Sequence, residues 1–241
     1  IDEDQLAAFQ ARADSVLLRV RVTDEAHVRR LATRTVLCKG FVDEWACGAS
    51  WDELSTALRA YPREHAAPYL AAGTTFKVIV TSFGKKNTDA ERMDLIKMLE
   101  PLLPWQGKVN LKTPDFTFVL FCDTPLDGAK SKATEDARPF FHFGRLVAEG
   151  RRDLVGRYDL KKRNYIGTTP LDAELSLLMA NLARVRAGDL VYDPYCGTAG
   201  TLVAAAAFGA RVLGCDLHLP AIKGQLRTRS GPSKLKQAAV Q

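Results

Sequence analysis

Between the apolar run Leu190-Val191-Tyr192 and the small-residue run from Leu202 to Phe208 stand Asp193-Pro194-Tyr195-Cys196-Gly197-Thr198-Ala199-Gly200. These residue types can hold a charged ligand on backbone amides. A carboxylate ending a strand, followed by a glycine-containing turn, brings bare N–H groups and the positive end of a helix against whatever binds there. Gly209 then offers a helix stop, Arg211-Val212-Leu213-Gly214-Cys215 reads as a second strand, and Asp216 stands at its end, 23 residues beyond Asp193. An acid at the end of the second strand of a β-α-β unit can accept both ribose hydroxyls of an adenosine. NAD and S-adenosylmethionine compete for such a site. No G-x-G-x-x-G begins at Gly197, and the acid precedes the glycines, which suits a cofactor carrying an ammonium group and a sulfonium centre. S-adenosylmethionine is therefore expected over NAD, against the blander alternative of an ordinary βα turn with a surface aspartate.

The elements that must position this turn are legible in outline. Thr169-Pro170 reads as a helix N-cap with proline at the first helical position, followed by a buried face of Leu171, Leu175, Leu178, Met179 and Leu182. Upstream, residues 151–163 concentrate Arg151, Arg152, Arg157, Lys161, Lys162 and Arg163, and read as a basic connector. Before them comes an α+β alternation. Strands are expected over Ser15 to Val22, Val36 to Val42 with a break, Phe76 to Val80, Val109 to Leu111, Phe116 to Phe121 as the central strand, and around Phe140 to Phe143. Helices are expected after Thr23 or Asp24, after Ser50, and after Thr88, whose spacing to Glu91 fits a capping box. Residues 61–73 read as a connection. Phe140, Phe141 and Phe143 read as core rather than base-stacking residues, His142 as outward-facing or satisfied, and Lys85 and Lys86 at a turn tip as phosphate contacts.

At 241 residues and 46% hydrophobic content the chain can bury substantial cores. No apolar run approaches the roughly 20 residues that span a bilayer, and the acidic start Ile1-Asp2-Glu3-Asp4 is unlike a signal peptide; a soluble, cytoplasmic protein is expected. Five cysteines with no C-x-x-C pair argue for free thiols and against a zinc knuckle. The net charge of +6 is unevenly placed: residues 76–165 carry 17 basic against 12 acidic side chains. Such a middle third fits a polyanion partner, and fits a solvated mixed-charge surface equally well.

With these residues in hand, the chain resembles the catalytic subunit of the tRNA guanosine-10 N2-methyltransferase over most of residues 20–218. The resemblance is carried by FKVIVTSFGKK (76–86), FGR (143–145), Arg151-Arg152-Asp153-Leu154, YDLKKRN (158–164), YIGTTPLDAELSLLMAN (165–181) and Asp193 to Gly200. It implies an α+β N-terminal region, ferredoxin-like plus THUMP-type, followed by an incomplete α/β Rossmann-like methyltransferase domain. It further implies tRNA as partner, a small zinc-binding activator subunit, and S-adenosylmethionine touched by Asp193, Gly197, Thr198, Gly200 and Asp216, with Thr168 and Thr169 contributing from a helix start. RNA contacts would come from Lys85, Lys86, Arg145, Arg151, Arg152, Lys161, Lys162 and Arg163. The organisation implied is an N-terminal region over 1–73, a THUMP-type region over 74–150, a basic connector over 151–166, a partial methyltransferase domain over 167–220 and a disordered basic tail over 221–241.

Three departures from the family pattern bear on activity. D-P-x-x-G-T-G places glycine where this chain has Ala199, so weaker cofactor binding is expected. The N/D-P-P-Y/F turn that aims an exocyclic amine at the methyl group is missing, since none of the eleven prolines adjoins another. No catalytic residue is assigned for that reason, and the chain is read as truncated and inactive alone. After Pro220 the likeness ends, which would leave the strand before Asp193 with an apolar open edge. The alternative reading is a non-catalytic tRNA-binding fragment. A THUMP-linked thiolation or deamination enzyme is disfavoured by the lack of C-x-x-C and H-x-E.

Overall fold

A computed structural model describes residues 15–22, 24–124, 139–162 and 170–218. The chain divides into two units, residues 1–29 with 40–149, and residues 30–39 with 150–241. In chain order the elements are α1 (Glu25–Ala32), β1 (Gly40–Gly48), α2 (Trp51–Ala60), α3 (Arg63–Leu70), β2 (Thr75–Phe83), α4 (Asp89–Leu99) with a 3-10 turn over Glu100–Leu102, β3 (Lys108–Val109), β4 (Phe116–Asp123), β5 (Phe140–Glu149), α5 (Arg152–Arg157) with a 3-10 turn over Leu160–Lys162, α6 (Ala173–Leu182), β6 (Leu190–Asp193), α7 (Gly200–Ala207) and β7 (Arg211–Gly214).

The first unit is built on one five-stranded sheet in the order β1-β5-β4-β2-β3. The β1–β5 and β5–β4 pairs are antiparallel, and β2 is parallel to both β4 and β3. As its nearly unbroken apolar sequence requires, β4 lies at the centre. Phe118, Leu120, Phe143, Leu54 and Leu58 are fully buried on one side of the sheet, each worth about 1.5–3 kcal/mol of apolar burial. A register shift between Glu44 and Ala46 turns the extra residue, Trp45, into this core, where its ring stacks 5.1 Å from Tyr61 and meets Phe118 edge-on. Phe141 and Phe143 belong to this core, whereas Phe140 alternates to the other sheet face beside His142.

Ser50 caps α2 by accepting from Glu53 N, and Thr88 with Glu91 forms the expected capping box on α4. Pro101 falls in the 3-10 turn where α4 ends, so the apolar face continues past it and buries Leu99, Leu102 and Leu103. Asp24 Oδ1 accepts from Ala26 N at the start of α1, while Thr23 lies outside the described residues.

Several expectations are corrected. Ser15 to Val22 forms no strand; side chains tie it to the sheet, Ser15 Oγ on Asp123 Oδ2 and Arg19 on Glu44. Residues 36–38 are not a strand, because Val36 is buried in the second unit instead. Residues 61–73 contain α3, which tolerates Pro68 in its last turn because Ala66 and Leu70 enter the core. The sheet also runs through the boundary expected at residue 73, since β1 and β2 belong to it together.

In the second unit, β6 and β7 form a parallel pair with α7 as the crossover. Its core gathers Leu154, Leu177, Ala180, Val185, Ala204 and Ala205 around Val36. Leu154 lies on α5, so the described part of the expected basic connector, residues 151–162, is folded onto this core. Arg34 joins residues 30–39 to this unit: its Nε donates to Asn181 Oδ1, Asn181 Nδ2 donates back to Arg34 O, and the guanidinium lies 4.4 Å from the Phe208 ring centroid. The cap of α6 is Asp172, which accepts from Glu174 N and Leu175 N, and Pro170 precedes the helix. The buried face of α6 is Ala173, Ser176, Leu177 and Ala180, not the stripe of Leu175, Met179 and Leu182, which is exposed. The small residues win because they let α7 approach closely: a Cβ on Gly200 would sit 3.4 Å from Ser176 Oγ. The tail over 221–241 lies outside the described residues.

Candidate functional site

Parallel pairing puts Asp193, the last residue of β6, opposite Gly214, two residues before Asp216. Backbone bonds carry the pairing past the strand ends, Cys215 N to Asp193 O and Cys196 N to Cys215 O, both at 3.0 Å. The two acids therefore stand at neighbouring strand termini of one unit, and both reach into the turn between β6 and α7. Asp193 Oδ1 accepts from Tyr195 N at 3.0 Å and Oδ2 from Thr201 Oγ1. Asp216 Oδ2 accepts from Gly197 N at 2.8 Å and Oδ1 from His218 N at 2.7 Å. Those two backbone donors hold the Asp216 carboxyl below the ordinary aspartate range.

The turn is left-handed at two places. Gly197 has φ 50°, and a Cβ built there meets nothing within 4 Å, so a ligand can come directly against the backbone. Ala199 has φ 59° and serves as the N-cap of α7 with no side-chain cap bond. An L-residue in this region costs about 1–2 kcal/mol, so the glycine of the family pattern has a conformational reason and Ala199 carries strain. Thr198 is half-buried within the turn. Gly214 permits close packing of the second strand, since a Cβ there would come within 2.6 Å of Leu202 Cδ1 and 2.9 Å of Cys196 Cβ. Burial, then the negative charges of Asp216 and Asp193, push the Cys196 thiol up, so it stays protonated at neutral pH and is no nucleophile.

These features fit an adenosyl cofactor. A carboxylate offers about four lone-pair sites, so Asp216 can keep its backbone donors and still accept ribose hydroxyls. Thr168 and Thr169 lie outside the described residues, as does Arg163. Thr201 was not legible as a site residue, because a threonine in the first turn of a helix reads only as a helix-start preference.

The expected RNA contacts divide. Lys85 and Lys86 are exposed at the turn after β2, with Gly84 at φ 79°. Arg151 pairs with Asp153, Arg152 bonds Leu37 O and Glu174, Lys162 donates to Gly156 O, and Lys161 is exposed. All of these retain a solvent-facing side. Arg145 does not: it is 4% exposed, bonded to Glu25 at 2.7 Å and to Asp43 at 3.5 Å, and stacked 4.1 Å from the Tyr69 ring centroid. Its contacts tie α1, through Glu25, and α3, through Tyr69, to the sheet, which removes it from the RNA-facing set. His142 Nδ1 lies 2.6 Å from Glu44 Oε1, but its buried Nε2 has no hydrogen-bond partner among the described residues, so the expected satisfied histidine is met at one ring nitrogen only.

Two adjacent parallel strand ends, each with an acid, and an open left-handed turn between them form the kind of place at which open α/β sheets bind ligands. The comparisons carry this further. The family model described as Tmrp11 THUMP N-terminal domain matches residues 3–152, and that described as RMKL-like methyltransferase domain matches residues 161–234. The protein named tRNA (guanine(10)-N(2))-methyltransferase TRMT11 from Mus musculus is 41% identical over 205 residues, 85% of this chain and 44% of its own. The Homo sapiens protein of that name is 39% identical over 203 residues, 84% and 43% of the two chains, and that of Dictyostelium discoideum 29% over 231 residues, 92% and 45%. TrmN from Thermus thermophilus aligns with 92% of this chain and 64% of its own at 18% identity and a TM-score of 0.44, too distant to carry an argument. The chain belongs to the Tmrp11 THUMP family, the family of these tRNA (guanine(10)-N(2))-methyltransferases. It spans less than half the length of the curated relatives it matches. Among the described residues, no helix is long and apolar enough to cross a membrane.

Proposed function

We propose that this chain is the tRNA-binding part and the cofactor-binding start of a cytoplasmic enzyme that transfers a methyl group from S-adenosylmethionine to N2 of guanosine 10 in tRNA. The observation that carries the reading is the convergence of Asp193 and Asp216 on one open glycine turn, in a chain whose N-terminal part matches the THUMP family. The cofactor supplies a methyl group bonded to a positively charged sulfur. Asp216 would accept its ribose hydroxyls, Asp193 would face its ammonium group, and Gly197 and Thr198 would lie along it; Gly200, expected there too, packs against Ser176 and Leu171 instead, and Thr168 and Thr169 are proposed as further contacts.

No residue of this chain is placed on the guanine amine. The sequence holds no N/D-P-P-Y/F turn, so the 241-residue chain alone is expected to bind without turning over. Lys85, Lys86, Arg151, Arg152, Lys161, Lys162 and Arg163 are proposed to meet tRNA phosphates, which position the RNA without reading its bases. A small zinc-binding subunit is the proposed activator of the longer enzyme. Equilibrium dialysis of the chain with radiolabelled S-adenosylmethionine, with NAD as competitor, tests the cofactor. Retention of label that excess NAD does not displace supports the reading; displacement by NAD overturns it.

A further inference from the structure

One side chain at the start of α7 reaches back to the acid that ends β6. Thr201, in the first turn of α7, points its hydroxyl back across the turn and donates to Asp193 Oδ2. The other oxygen, Oδ1, is taken by Tyr195 N at 3.0 Å. A carboxylate at a strand end is otherwise free to rotate about its Cβ–Cγ bond. With one donor on each oxygen its plane is fixed, while lone pairs on both oxygens remain for a ligand cation.

We propose that Thr201 is a positioning residue: its hydroxyl orients the Asp193 carboxylate toward the ammonium end of an adenosyl-amino-acid cofactor. The inference rests on the cofactor reading above and adds the determinant of how the amino-acid end is held. Thr201 itself touches no ligand; it acts through Asp193. A purely structural alternative also exists, in which Thr201 closes the turn by tying the start of α7 to the end of β6. That role would weaken every adenosyl ligand alike.

The two roles separate by ligand. Thr201→Val keeps the β-branched shape and removes only the hydroxyl, and Thr201→Ser restores it. Titration calorimetry on the 241-residue chain is carried out with S-adenosylhomocysteine, which has the ammonium group, and with 5′-methylthioadenosine, which lacks the amino-acid end. Thr201→Val is expected to weaken S-adenosylhomocysteine about tenfold, as for loss of a hydrogen bond to a charged group, to leave methylthioadenosine within about twofold, and to be rescued by Thr201→Ser. Equal weakening of both ligands, or of neither, overturns the positioning role while leaving the cofactor reading intact. Failure of the unsubstituted chain to bind either adenosyl compound overturns both.

Discussion

Ala199 shows how one methyl group can be read at two levels. From sequence it is a Cβ where the family pattern has glycine, and the natural expectation is a steric obstacle to the cofactor. The structure adds a backbone reason, a left-handed N-cap. Ala199→Gly is therefore expected to raise stability by about 0.5–1 kcal/mol, the relief of left-handed strain less the added entropy of an unfolded glycine, seen as a higher unfolding midpoint. Arg145 runs the other way. It stood among the RNA contacts that the resemblance implied, and sequence cannot show that Glu25, 120 positions away, and Asp43 close on it. Arg145→Ala is expected to destabilise the chain by about 2–3 kcal/mol through lost packing and pairing, with tRNA affinity of the folded fraction unchanged in filter binding. At Glu44, burial pushes the carboxyl up, but hydrogen bonds from His142 and Arg19 more than offset it and hold it below the usual range. The Arg145 hydrogen bond does the same for Glu25. Carboxyls lowered in the folded state stabilise it fully above their ordinary titration range and lose that contribution as pH falls through the lowered values. The thermal midpoint should thus be flat above about pH 5 and fall below about pH 4, and Glu44→Gln should make that fall shallower.

At the level of elements, capping and periodicity gave the right answers where one local signal sufficed. Ser50, Thr88 and the apolar run of β4 are of this kind. Ser50→Ala should cost about 1 kcal/mol, measured by denaturant unfolding. The errors came where tertiary contact chose between local options. The helix α6 carries two apolar stripes, and only the presence of α7 selects the small one. Val36 has the composition of a strand but is drawn into the core of the second unit. In α3, burial of Leu70 and Ala66 outweighs the lost bond at Pro68. For the turn after β2, Lys85→Ala with Lys86→Ala should reduce the magnitude of the salt slope of tRNA binding by about two, as for loss of two phosphate contacts; an unchanged slope would remove this turn from the interface.

Across the whole molecule, the glycine turn between the two acids was the part whose geometry was most readable from sequence, because it is local: an acid, a glycine turn, a small-residue helix and a second acid 23 positions on. Parallel pairing of β6 with β7 makes that spacing a single place in space. The exposed Leu190, Tyr192 and Leu213 leave an uncovered apolar face on these two strands. The matched residues make up 44% of the Mus musculus relative, so that protein has further sequence available to cover the equivalent strands. The most direct measurement is a crystal structure of the chain with S-adenosylhomocysteine. The expected result is ribose hydroxyls within hydrogen-bond distance of Asp216 and the amino group on the Asp193 side of the Gly197 turn. Adenosyl density elsewhere, or a turn left empty at saturating ligand, would contradict it.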